Sequence, residues 1–276
     1  MDGAALPQTR STCPYCGVGC GVLLRPDGAG GMAVEGDPDH PANKGRLCSK
    51  GLALAETTSL DGRLLEPRIK DKTADWDAAL DLVANRFSDT VAKHGPDSVA
   101  FYVSGQLLTE DYYVANKLMK GFIGSGNIDT NSRLCMASTV AGHKRAFGTD
   151  TVPGTYDDFD QADLAVLVGS NLAWCHPVLY QRLAAARKDH GTKVVVIDPR
   201  RTATCDIADI HLPLKAGTDV ALFNGLFSYL YEVGATDNAF IGAHTEGFNE
   251  TLASASSGNP DETGLDPAKV AAFYRL

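Results

Sequence analysis

The chain has 276 residues, with 25 Lys and Arg against 34 Asp and Glu for a formal charge of −9. That balance excludes a general nucleic-acid binder, whose surface must be basic to displace phosphate counterions, and a composition of 44% hydrophobic and 21% charged residues excludes a disordered chain. No apolar run approaches the roughly 18 residues of a membrane span, and residues 1–10 hold neither an apolar export segment nor a twin arginine, so no membrane span and a cytoplasmic address are expected.

In chain order, residues 11–51 come first; they hold nine glycines and no amphipathic helix of useful length. Such a segment has little apolar face to bury, so a metal must supply much of its folding energy. Short strands are predicted at 21–24 and 32–35, separated by a Gly-rich turn. Helices and strands then alternate. Trp76, Leu80, Val83, Phe87 and Val91 recur at three- and four-residue steps, which predicts an amphipathic helix over 75–94 stopped by Gly95 and Pro96. A β-rich strand follows at 98–104. A second helix starts at Thr109, Glu110 and Asp111, carries Tyr112, Ala115, Met119 and Phe122, and breaks at 124–126.

The runs 162–168 and 193–198 are continuously apolar, as parallel strands covered on both faces are. The helix predicted between them, 176–190, is closed by Gly191, which makes a right-handed βαβ unit. A third strand at 210–214 leads to a helix over 218–233 with Leu222, Phe223, Leu226, Leu230 and Tyr231 on its buried side. Residues 270–276 form an apolar helical run without a stop signal, so Val270, Ala271 and Phe273 are expected to lack partners.

Seven cysteines are an odd number, and a chain of this length needs no disulfide framework. Cys13-x2-Cys16-x3-Cys20 places three thiols on a tight loop, and Cys48 follows after 27 residues. Thiolates select zinc or an iron–sulfur cluster. Structural zinc sites usually show two similar pairs, whereas three ligands plus one remote ligand suit a 4Fe-4S cubane; zinc and unligated buried thiols are the alternatives. Cys175 and Cys205 have no ligand spacing and read as core or near-core thiols, and the seven histidines show no paired pattern. Cys135 enters a helix, where unpaired amides stabilise a thiolate, so it reads as a metal ligand or nucleophile, with an inert core cysteine as the alternative.

Two further loops carry chemistry. Gly169, Ser170 and Asn171 end the first strand of the βαβ unit just before a helix, where small residues let amides approach a pyrophosphate. Asp198, Arg200 and Arg201 end the second, offering a carboxylate to ribose and arginines to phosphate. Neither strand is followed by G-x-G-x-x-G, so an ordinary NAD site is unsupported, and each of these residues can equally cap a helix or turn.

The segments Thr12-Cys-Pro-Tyr-Cys-Gly-Val-Gly-Cys20, Glu35-Gly-Asp-Pro-Asp-His-Pro41 and Gly45-Arg-Leu-Cys-Ser-Lys-Gly51 resemble the cluster domain of the molybdopterin-guanine-dinucleotide oxidoreductases, a family that includes nitrate reductases and formate dehydrogenases. The likeness runs along essentially the whole chain. It implies an α/β fold: a small N-terminal 4Fe-4S domain (1–64), then Rossmann-like αβα domains with parallel strands, 65–138 ending at the molybdenum ligand and 139–276 truncated at its C-terminal end. It implies a 4Fe-4S cluster on Cys13, Cys16, Cys20 and Cys48, with Lys50 between cluster and pterin. Cys135 becomes the protein ligand of molybdenum in a bis(molybdopterin guanine dinucleotide) cofactor. The dinucleotide tail of one pterin falls to Gly169, Ser170, Asn171 and His176, to Asp198, Arg200 and Arg201, and to Gly217, Thr218 and Asp219, with Gln106 and Asn131 as further contacts.

Formate dehydrogenases of this family place a histidine directly after the ligating residue; here it is Met136, in a segment similar to that of the nitrate reductases, which reduce nitrate by oxygen-atom transfer. The 169–177 segment is similar to the assimilatory, cytoplasmic catalytic subunit. Nitrate is then the expected substrate, with ferredoxin, flavodoxin or an NAD(P)H-linked reductase subunit as electron donor. Formate dehydrogenase and a truncated, non-catalytic 4Fe-4S electron-transfer module are the alternatives. Full-length relatives are far longer than 276 residues, so the chain alone is expected to be inactive.

Overall fold

The computed structural model describes residues 8–276, with the backbone alone at 132–135. Contacts divide the chain into two units, Met1–Thr58 with Gly154–Leu276, and Ser59–Pro153.

The first unit opens with three antiparallel strands, Thr9–Thr12, Gly21–Pro26 and Met32–Gly36, paired in that order. The turn between the last two is closed by the Asp27 carboxylate, which accepts from the N–H groups of Ala29 and Gly31. Two glycines are needed for close approach. A side chain at Gly36 would collide with the Gly45 carbonyl, and one at Gly21 with the His40 ring, so the 37–45 loop lies flat on the sheet only because neither position has a Cβ.

The same unit contains a parallel sheet of Leu164–Val168, Lys193–Ile197 and Ile210–Leu212, with Lys193–Ile197 in the middle. Val194 to Ile197 are fully buried, and their alternation sends them into two cores. Val194 and Val196 pack with Val178, Leu179 and Leu183 of the helix Pro177–His190 and with Val18, Cys20 and Ala42 of the cysteine module. Val195 and Ile197 pack with Leu212, Leu214, Leu222 and Phe273. One strand therefore holds the cysteine module against one face of the sheet and the helices Asp219–Glu232 and Pro267–Tyr274 against the other.

Several expectations need correction here. Phe273 and Val270 have partners, because the turn Pro260–Thr263 returns the chain to the sheet and the Asp266 carboxylate caps the last helix through Ala268 N–H. That helix ends at Tyr274, whose hydroxyl donates to the Leu222 carbonyl at 2.6 Å. Phe223 and Tyr231, expected on the buried side of their helix, are 37% and 48% exposed. Cys175 is exposed, since the single turn Leu172–Cys175 buries Leu172 and turns Trp174 and Cys175 outward; Cys205 is buried as expected.

The second unit holds the helix Trp76–His94, started by the Asp75 carboxylate accepting from Ala78 N–H at 2.7 Å. A parallel pair, Phe101–Val103 and Ile128–Thr130, follows. The second predicted helix is α-helical only over Thr109–Asn116; Lys117–Ile123 is π-helical, with Gly124 N–H reaching back five residues to the Met119 carbonyl. No side chain of Trp76–His94 is fully buried: Leu80, Val83, Phe87 and Val91 line a crevice of about 460 Å³ with Leu118, Phe122 and Ile123. The helix Ser132–Phe147 runs through the boundary expected at 138/139. Among the described residues no helix is long and apolar enough to cross a membrane.

Candidate functional site

Cys13, Cys16 and Cys20 lie on the loop between the first two strands, which Cys13 N–H closes by donating to the Cys20 carbonyl at 2.8 Å while Gly19 N–H donates to that of Cys16. Cys48 stands just before the short helix Ser49–Leu52. Asn43 joins the two segments. Its fully buried side chain accepts from Gly21 N–H at 2.8 Å and donates to the carbonyls of Gly21 and Arg46, so one amide grips the residue after Cys20 and the residue two before Cys48. All four thiols are free. Burial pushes the Cys20 thiol up to about 11, and the charges of Cys13, Cys16 and Cys48 push the same way, so the four are electrostatic neighbours. Among the described residues no three His, Cys, Asp or Glu side chains stand ready as ligands of a single ion. Four soft, mutually repelling thiolates fit a cationic polynuclear centre, which relieves the repulsion and the burial cost together.

The module is held to the α/β sheet by charge. Arg182, on the buried face of Pro177–His190, donates to both Asp160 oxygens, to Asp157, and to the carbonyls of Pro41 and Ala42. Lys44 closes the network with Asp157 and Asp160, each at 2.8 Å. From the same segment, the Tyr156 hydroxyl donates to the Gly17 carbonyl at 3.0 Å.

Lys50 is exposed and lines a crevice of about 430 Å³ with Cys48, Ser49, Ala173, Trp174, Pro177 and Gln181. The fourth cysteine thus meets the loop that follows the first parallel strand. Gly169 leaves that strand with φ +58°, its N–H bonded to the Ile197 carbonyl. Ser170 follows it, half-buried. Asn171 accepts from the Thr204 hydroxyl, which accepts from Ala173 N–H, and His176 precedes the helix Pro177–His190. Asp198, Arg200 and Arg201 follow the middle strand: Asp198 accepts from Arg200 N–H at 2.8 Å, and Arg201 pairs with Asp206. Gly217, Thr218 and Asp219 lie beyond the third strand, with the Thr218 hydroxyl spent on the Lys215 carbonyl. All three groups therefore sit past the carboxyl ends of parallel strands, where α/β sheets bind ligands.

Gln106 and Asn131 belong to the second unit. Both follow the ends of its two parallel strands, where Asn131 accepts at 2.6 Å from the N–H of Gly105, the residue before Gln106. Cys135 follows in the first turn of Ser132–Phe147; its side chain lies outside the described residues.

Sequence reasoning missed Asn43, Tyr156, Asp160 and Arg182. Arg182 left a signal, a lone cation among Val178, Leu179, Leu183 and Ala186 on one helical face. Asn43 left none, because its buried amide serves backbone groups that no side-chain pattern reveals.

Residues 63–256 match the model of the molybdopterin oxidoreductases, and residues 6–59 that of the molybdopterin oxidoreductase Fe4S4 domain. The chain is 54% identical over 275 residues to a nitrate reductase of Klebsiella oxytoca, covering 98% of this chain and 31% of that protein. It is 48% identical to a nitrate reductase of Shewanella frigidimarina, covering 97% and 30%, and 44% identical over 224 residues to the periplasmic nitrate reductase of Desulfovibrio desulfuricans, covering 79% and 30%. The fold is similar to that of acetylene hydratase from Pelobacter acetylenicus, with a TM-score of 0.82 at 24% identity over 96% of this chain and 38% of that one. The chain spans about a third of the length of these relatives. With a thiol module carrying the Fe4S4-domain pattern on one face of a parallel sheet and the family match running through most of the remainder, the chain belongs to the molybdopterin oxidoreductases.

Proposed function

We propose that the chain is the N-terminal part of the catalytic subunit of a molybdenum nitrate reductase of the assimilatory, cytoplasmic type, which reduces nitrate to nitrite by two-electron oxygen-atom transfer. The observation that carries this reading is the crevice shared by the Cys48–Lys50 turn and the Ala173–Trp174 helical turn, which sets the thiol module beside the segment that follows the sheet-end residues Gly169 to Asn171. Identity of 40–54% to four nitrate reductases supports the substrate. The likeness of 169–177 to the assimilatory subunit supports the type.

Cys13, Cys16, Cys20 and Cys48 would hold a 4Fe-4S cluster, and Cys135 the molybdenum of bis(molybdopterin guanine dinucleotide). Bound there, these groups supply one-electron transfer and oxygen-atom exchange. The residues do the rest. The Lys50 ammonium puts positive charge in the crevice beside Cys48, where it favours negative charge in transit. The loops at 169–171 and 217–219 offer amides to a pyrophosphate, and the Asp198 carboxylate offers oxygens to ribose. Met136, next to the proposed ligand, has a thioether that cannot relay a proton, which favours oxygen-atom transfer over formate oxidation. Ferredoxin, flavodoxin or an NAD(P)H-linked subunit would deliver the electrons.

The test is Cys135→Ala in the complete reductase, with nitrite production read from a reduced viologen dye and the iron–sulfur signal from EPR. Loss of nitrite with the signal intact supports the assignment; retention of most nitrite production contradicts it. Iron without molybdenum in the unsubstituted protein would mark an electron-transfer module instead.

A further inference from the structure

The segment 155–160 reaches the cysteine loop alongside the core residues of the sheet and its covering helix. It is set rigidly: Asp158 accepts from Thr155 N–H, and Asp157 and Asp160 are tied to Lys44 and Arg182. Tyr156 leaves this anchored stretch half-buried, packs against the core that contains Val18 and Cys20, and ends 3.0 Å from the carbonyl oxygen of Gly17. Gly17 directly follows Cys16, and its peptide leads to the buried Val18 on the way to Cys20. Burial holds the Tyr156 hydroxyl above its ordinary range, and the charges of Cys16 and Cys20 act in the same direction, so the hydroxyl lies within electrostatic reach of two of the four thiols.

Iron–sulfur potentials respond to hydrogen bonding, net charge and solvent around the sulfurs. A hydroxyl that donates to the Gly17 carbonyl turns the positive end of its dipole toward the loop. It also polarises the Gly17–Val18 peptide, making the Val18 N–H a stronger positive pole. One-electron reduction adds a negative charge to the cluster, and both effects favour that charge. Resting on the cluster assignment above, we propose that Tyr156 is a positioning residue for the 4Fe-4S cluster: through its hydrogen bond to the Gly17 carbonyl it fixes the peptide between Cys16 and Cys20 and raises the cluster's reduction potential.

The experiment is an EPR-monitored redox titration of the full chain, purified anaerobically with its cluster. Tyr156→Phe keeps the ring and its exclusion of water but removes the donor, and its potential is expected to be more negative than that of the unsubstituted chain. Tyr274→Phe, which removes an equivalent hydroxyl bond to a carbonyl remote from the cysteines, is expected to leave the potential unchanged. A fluorotyrosine at 156, a stronger donor of the same shape, is expected to shift the potential the opposite way from phenylalanine. A cluster whose potential is the same with tyrosine, phenylalanine and fluorotyrosine overturns the role of Tyr156 and leaves the cluster assignment standing. An unsubstituted chain that assembles no cluster overturns the assignment and this role with it.

Discussion

Arg182 and Asp160 form a two-point ion pair, Nε to Oδ1 at 3.0 Å and Nη2 to Oδ2 at 2.7 Å, with the arginine side chain wholly shielded from solvent. Asp157 and the carbonyls of Pro41 and Ala42 accept from the remaining guanidinium hydrogens, so all five donors are used. The planar fork lets a single residue of a sheet-covering helix hold both the 157–160 segment and the loop that leads to Asn43. Desolvation of the cation is met only while every acceptor stays in place.

Removing the cation leaves the carbonyls of Pro41 and Ala42 without their donor and leaves Asp157 and Asp160 with Lys44 as their cation. Arg182→Ala is expected to lower unfolding stability by about 1–3 kcal/mol, the range for leaving buried acceptors unpaired. Arg182→Lys keeps the charge but offers fewer donors from a shorter reach, and is expected to recover only part of the loss. Urea unfolding followed by circular dichroism measures both; a loss under about 1 kcal/mol for Arg182→Ala would show that the network carries no net stability.

Acid should dissolve the same network. Arg182 first, with Lys44, holds the Asp160 carboxyl at about 2 against an ordinary 3.8, and Asp157 is lowered by Lys44 first and then Arg182. A depressed carboxylate pKa means that the folded state binds the proton less readily than the unfolded one. The stabilisation is then complete above the ordinary value and is lost as pH falls from about 4 toward 2. The urea midpoint is expected to drop across that window, and Asp160→Asn is expected to flatten the drop while lowering the midpoint at neutral pH. An unchanged acid slope in Asp160→Asn would contradict this.

Asn43 is the clamp between the two halves of the thiol set. Asn43→Ala takes the side-chain partner from the buried Gly21 N–H and from the half-buried Arg46 carbonyl, at about 1–3 kcal/mol for a stranded buried group, while the Gly21 carbonyl keeps the N–H of Asp37. Iron release to a chelator is expected to be faster in Asn43→Ala than in the unsubstituted chain, whereas Asn238→Ala, at the start of an exposed helix, is expected to match it. Equal release rates in the two variants would remove Asn43 from the cluster's support.

How much of this was legible in the sequence depends on which physical signal each feature leaves. Val194 to Ile197 announce a strand covered on both faces because every position must be apolar, and the cysteine spacing announces a shared ligand because soft donors on a tight loop have few other uses. The helix stops at Gly95 and Gly191 were readable because a left-handed residue needs glycine there. The π-helical stretch after Asn116 was not, since a five-residue hydrogen-bond spacing leaves no composition of its own. The partners of Phe273 were hidden because they lie far back in the chain, at Val195, Leu212 and Leu222. Asn43 and Tyr156 act on carbonyls, which every residue has, so their targets carry no sequence label.

Because the chain spans about a third of its nitrate reductase relatives, residues 1–276 expressed with cofactor biosynthesis intact are expected to take up iron and to form no nitrite with a reduced viologen dye. Sustained nitrite production with stoichiometric molybdenum would mean that this length assembles the whole site.

Four cysteines from two chain segments are proposed to hold one iron–sulfur cluster, and iron analysis with EPR of the dithionite-reduced, anaerobically purified chain separates that cluster from zinc or unligated thiols. About four irons per chain and a paramagnetic signal on reduction are expected, as a four-thiolate cubane requires, with both lost or sharply reduced in Cys48→Ser and kept in Cys205→Ser. Zinc in place of iron, no signal on reduction, or a Cys48→Ser protein with its full complement of iron would contradict it.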